Sequence, residues 1–83
     1  MAYHIIWSDS AVKQMKKLEH GVSRRIHEKV GELSEDPFKN AIKIAGEKSY
    51  RIRVGDYRVI FDIKQETLQV LVVKVGHMST IYE

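Results

Sequence analysis

Eighty-three residues with a formal charge of +3 and a pI near 9.3 make one small domain, residues 1–83, with room for only a shallow core. There is no cysteine, so a disulfide framework and a thiolate zinc site are excluded, which suits a reducing cytosol. No stretch approaches the roughly 20 apolar residues that span a bilayer, and the first residues lack the charged-then-apolar pattern of a secretion signal. A soluble, cytoplasmic protein is therefore expected.

His4-Ile-Ile-Trp7 is short and rich in β-branched and aromatic residues, and predicts a first strand. Ser8 is a good N-cap and Asp9 suits a helix N-terminus. Ala11, Val12, Met15 and Leu18 then recur at helical spacing, while Lys13, Gln14, Lys16 and Lys17 are read as facing outward. His20-Gly21 breaks the run. A second amphipathic helix carries Val22, Ile26, Val30 and Leu33, and Asp36-Pro37 is expected to end it, because the residue before a proline avoids helical geometry. Residues 38–47 read as a loop marked by Gly46.

The period then changes from helical to alternating. Tyr50, Ile52 and Val54 alternate with Arg51 and Arg53, Gly55-Asp56 suits a two-residue hairpin turn, and Tyr57, Val59 and Phe61 alternate with Arg58 and Ile60. After a turn at Gln65-Glu66, the apolar run Leu68–Val75 predicts a central strand buried on both faces and ended by Gly76, with Ile81-Tyr82 as a short last strand. The fold class is α+β: an N-terminal strand, an antiparallel helical hairpin, then a three- to four-stranded, mainly antiparallel sheet.

A two-residue turn fixes the register of the hairpin. Arg53 then faces Arg58, and Arg51, Arg53 and Arg58 share the face opposite Tyr50, Ile52, Val54, Tyr57, Val59 and Phe61. Like charges directly opposite across two strands are destabilising, whereas a phosphate-rich partner favours them, because guanidinium forks bind phosphate oxygens in pairs. The plainer reading is the solvated face of an amphipathic hairpin, where arginine also discourages edge-to-edge aggregation. A basic patch alone does not separate RNA from DNA, or either from an acidic protein.

The stretch Tyr50-Arg-Ile-Arg-Val-Gly-Asp-Tyr-Arg-Val-Ile-Phe61, followed by Val73-Lys-Val-Gly-His77 and Ile81-Tyr82, resembles the RelE/ParE toxin superfamily along nearly the whole chain. The resemblance implies the toxin of a type II toxin–antitoxin system, bound by a cognate antitoxin and reaching operator DNA only through it. For the RelE-like branch it implies a ribosome-dependent mRNA endonuclease. A ribose 2′-hydroxyl attacks the adjacent phosphate, which requires a base, an acid for the 5′-oxygen and cations for the phosphate charge, with no metal or cofactor. By position, Arg51 and Arg53 fall beside the scissile phosphate, Arg58 on a matching arginine, and Tyr82 on a C-terminal aromatic that stacks on a base.

His77 falls where the family places a basic residue or histidine. It is the best acid–base candidate here, since imidazole titrates near neutrality and arginine makes a poor base. His4, His20 and His27 have weaker claims, and no two histidines have metal-ligand spacing. The family commonly has an arginine directly after the His77 position, where this chain has Met78, a side chain that neither donates a proton nor neutralises phosphate. A ParE-like gyrase inhibitor without catalysis, and an attenuated toxin acting mainly as an antitoxin-bound co-repressor, are the alternatives.

Overall fold

The computed structural model describes residues 2–81. Among these the chain forms β1 (His4–Trp7), α1 (Asp9–Lys16), α2 (His20–Glu32), β2 (Ile42–Lys43), β3 (Tyr50–Val54), β4 (Tyr57–Lys64) and β5 (Gln69–His77). The strands make one mixed sheet in the order β1-β5-β4-β3-β2. β1 runs parallel to β5, and the other neighbours are antiparallel. The two helices carry the chain from β1 at one edge of the sheet to β2 at the other and shield one sheet face.

The sheet is one strand wider than expected, because Ile42–Lys43, in the segment read as loop, pairs with Tyr50 and Arg51. The second helix stops at Glu32, ahead of Asp36-Pro37. At the other end Ile81 lies outside any strand, and Tyr82 falls outside the described residues. Ser8 caps α1 as its residue type predicts: its side chain accepts from the Ala11 N–H at 3.0 Å.

The core lies between helices and sheet. Ala11, Ile26, Val30 and Leu33 pack on Ile52, Val54, Val59, Phe61, Val70, Val72 and Val75. A small second cluster, Ile44, Ile60 and Ile81, covers part of the opposite sheet face.

β5 is central but fully buried on one side only. Val70, Val72 and Val75 are buried, while Leu71 and Val73 are half-exposed. The spacing of the buried positions, two and then three, records a β-bulge. Phe61 pairs with Val72 while Ile60 pairs with Lys74, so Val73 is an extra residue in β5. The strand also passes through Gly76, where termination was expected, and ends at His77.

Candidate functional site

The hairpin turn sets the arginines. Gly55 has φ +59°, a conformation that costs an L side chain steric strain. The resulting register pairs Val54 with Tyr57, Arg53 with Arg58 and Arg51 with Ile60. Arg51, Arg53 and Arg58 thus lie on one sheet face, away from the helices. Arg53 is exposed and Arg51 half-buried.

Arg58 departs from the expected solvent-facing clamp, being only 8% exposed. Its Nη1 donates to the Gly55 carbonyl at 3.1 Å and to the Tyr57 carbonyl at 2.9 Å, and its Nη2 lies 3.7 Å from Met78 Sδ. Folding therefore does favour an arginine here: it ties the turn together. From the helix side, Arg25 approaches the same turn, where a β-carbon on Gly55 would meet an Arg25 Nη at 3.3 Å.

The bulge decides what β5 adds to each face. Past it, Val59 pairs with Val75 on the core side and Tyr57 with His77, while Ile60 pairs with Lys74 and Arg58 with Gly76. Lys74, exposed, joins the arginine face. His77 goes to the helix-side face, at the rim, in edge-to-face contact with Tyr57 at 5.3 Å between ring centroids. The structure thus brings Met78, rather than His77, against Arg58.

Residues 77–81 form a tight turn held to the end of the sheet. Met78 N–H donates to the Asp56 carbonyl at 2.8 Å, and the Thr80 and Ile81 N–H groups donate to the His77 carbonyl. Ile81 folds over Gly76, where an added β-carbon would lie 3.3 Å from Ile81 Cδ1. His77 Nδ1 accepts from the Ser79 N–H at 3.1 Å and lies 2.8 Å from Ser79 Oγ. A backbone N–H can only donate, so the neutral ring carries its proton on Nε2.

An open groove of about 680 Å³ runs along the helices, lined in part by Trp7, Val12, Met15, His20 and His27. Trp7, partly buried against the core, and Val12 contribute to it. Val12 is 37% exposed, and the Trp7 indole stacks on the His27 ring at 5.8 Å. His20 is exposed on the helix side, and His4, exposed and paired with Gln69, shares the sheet face of the arginines but sits at its other end.

Sequence reasoning missed Lys74, Arg25 and Gln14. Lys74 had a readable signal, a lone charge inside a long apolar run. Arg25 and Gln14 had none, because their contacts, to Gly55 and to the Val75 N–H, join distant segments.

The family model for "ParE toxin of type II toxin-antitoxin system, parDE" matches residues 5–82. The mRNA interferase toxin RelE of Escherichia coli K12 is 29% identical over 79 residues, covering 92% of this chain and 83% of that protein. In the intact E. coli RelBE toxin–antitoxin complex, the matched chain superposes with TM-score 0.81 at 28% identity, covering 92% of this chain and 96% of that one. For the archaeal RelE–RelB complex of Pyrococcus horikoshii the TM-score is 0.82 at 27% identity, with coverage of 98% and 100%. The chain belongs to the ParE toxin family, within the RelE/ParE superfamily, and is a RelE-like toxin of a type II toxin–antitoxin system.

Proposed function

We propose that this toxin cleaves mRNA at the ribosome. The observation that carries the reading is the placement of Arg51 and Arg53 two residues apart on one sheet face. His77 stands on the opposite face, at the rim, and meets a phosphate held by the arginines only around the end of the sheet. The name of the E. coli relative, an mRNA interferase, supports it. Water takes the proton of the 2′-hydroxyl, the 2′-oxygen attacks the neighbouring phosphorus, the bond to the 5′-oxygen breaks, and that oxygen takes up a proton from water. Arg51 and Arg53 stabilise charge on the phosphate oxygens. The Nε2–H of His77 suits a hydrogen bond to the charge developing on the leaving oxygen better than abstraction from the 2′-hydroxyl, since Nδ1 is already engaged with Ser79. Tyr82, by its family position, stacks on a base.

The cognate antitoxin is the protein partner, and the groove at Trp7, Val12 and Met15 offers the apolar surface for one of its segments. Operator DNA is reached only through that antitoxin, and a ribosomal target implies the cytoplasm. Val12→Asp should weaken antitoxin binding while leaving the fold intact, as Val12 is already exposed.

Primer extension on mRNA in a translating extract tests the activity: wild type should leave discrete cuts that Arg53→Ala reduces. The enclosure of Arg58 and the methionine at 78 favour a second reading, inhibition of gyrase by binding alone. Gyrase-dependent DNA breaks without mRNA cuts would select it.

A further inference from the structure

We infer that Lys74 is a further phosphate-binding cation of the arginine face, and that Ser8 and Gln14 are positioning residues that set its direction by holding the bulge in β5. The inference rests on the RNA-binding reading above.

The register places Lys74 without ambiguity. Arg51, Ile60 and Lys74 form one row across β3, β4 and β5, and Arg53, Arg58 and Gly76 form the next. Strands lie about 4.8 Å apart, so Arg51 and Lys74 flank Ile60 with α-carbons about 10 Å apart. Arg58 is the diagonal neighbour of Lys74, about 7 Å away. Arg58 is enclosed and hydrogen-bonded to two carbonyls, and Ile60 is buried with Ile44 and Ile81, so a ligand on this face meets Arg51 and Arg53 on one side of that apolar cluster and Lys74 on the other. An extended polyanion crossing the strands can engage both sides, whereas a single small anion cannot.

Lys74 faces this way because of the bulge. In a regular strand continuing from Val70 and Val72, position 74 would point into the core and position 77 toward the arginines. The extra residue Val73 reverses both. α1 and the residue that caps it hold the irregularity. β1 ends at Trp7, paired with Val72, and beyond that point no strand among the described residues lies beside β5 on that side. Ser8 N–H donates to the Val72 carbonyl at 2.9 Å, and Ser8 Oγ donates to the Val73 carbonyl at 2.8 Å. The Val75 N–H donates to Gln14 Oε1 at 2.7 Å. The backbone groups on either side of Lys74 are thus satisfied by side chains at the start of the chain, in the geometry that turns Lys74 outward.

The test measures binding of the full chain to a short single-stranded RNA and to ribosomes across a salt series. Lys74→Ala should weaken binding several-fold and flatten the dependence of log K on log salt by about 0.7, the loss of one single-strand phosphate contact. Lys13→Ala, an equal charge loss on the exposed side of α1, should change the slope by much less. Gln14→Leu should weaken binding in the wild type but not further in Lys74→Ala, and Gln14→Glu, which retains the acceptor, should restore it. If Arg53→Ala weakens binding while Lys74→Ala matches Lys13→Ala, the Lys74 assignment is wrong and the RNA reading stands. If Gln14→Leu and Lys74→Ala are additive, the positioning role is wrong. If wild type binds neither probe, the RNA reading fails and takes this inference with it.

Discussion

Met78 Sδ lies 3.7 Å from a guanidinium nitrogen of Arg58, so a thioether covers an arginine that the fold itself encloses. Sulfur is a weak acceptor and leaves the Arg58 charge little altered. At the position where the family resemblance leads one to expect an arginine, this chain carries a side chain that shields one. Met78 is itself 52% exposed, so a longer cation at 78 can extend into solvent rather than into Arg58. Met78→Arg is therefore expected to raise mRNA cleavage, by up to about 10²–10³-fold if the new donor reaches the phosphate. Single-turnover cleavage in a translating extract measures it, and no gain would place the cations of the reaction elsewhere.

His77→Ala should remove most of the cleavage and leave the thermal unfolding midpoint nearly unchanged, since the ring sits at the rim against Tyr57 rather than in the core. Ser79→Ala removes the hydroxyl but not the backbone donor to Nδ1, so it should cost far less. Full activity in His77→Ala would remove the histidine from the mechanism.

The arginines should separate by assay. Arg58→Ala leaves the Gly55 and Tyr57 carbonyls without their donor and is expected to lower stability by about 1.5–3 kcal/mol. Arg53→Ala, at an exposed strand position, should alter stability by no more than about 0.5 kcal/mol while weakening RNA binding. Urea titrations alongside RNA-binding curves show whether the two losses part in this way.

Gly55→Ala forces a β-carbon into a left-handed conformation and against Arg25, and should cost about 1–2 kcal/mol. Asparagine, which tolerates that conformation better, should cost less. Equal stability of the alanine and glycine proteins would mean that the turn adopts a different geometry.

Ser8→Ala removes two contacts at once, the cap on Ala11 N–H and the donor to the Val73 carbonyl. A loss of about 1–2 kcal/mol is expected, at the upper end for a helix cap. Hydrogen exchange should also quicken at Val75, whose N–H depends on α1 staying in place.

The sequence by itself determined the elements whose causes are local. A period of two on either side of Gly55-Asp56 dictated the hairpin, its register and the shared face of Arg51, Arg53 and Arg58. The helical spacing from Ala11 to Leu33 dictated the helix pair and most of its buried side, and the same local pattern carried the likeness to the toxin family. The tertiary structure decided what depends on contacts between distant segments. Whether Arg58 faces solvent depended on the turn carbonyls and on Met78, twenty residues away. Whether His77 or Lys74 joins the arginines depended on one extra residue in β5, held by a serine and a glutamine more than sixty positions earlier. Residue periodicity records which side chains prefer burial, but a bulge is set by where unpaired backbone groups find partners. That is fixed only when helix and strand have packed together.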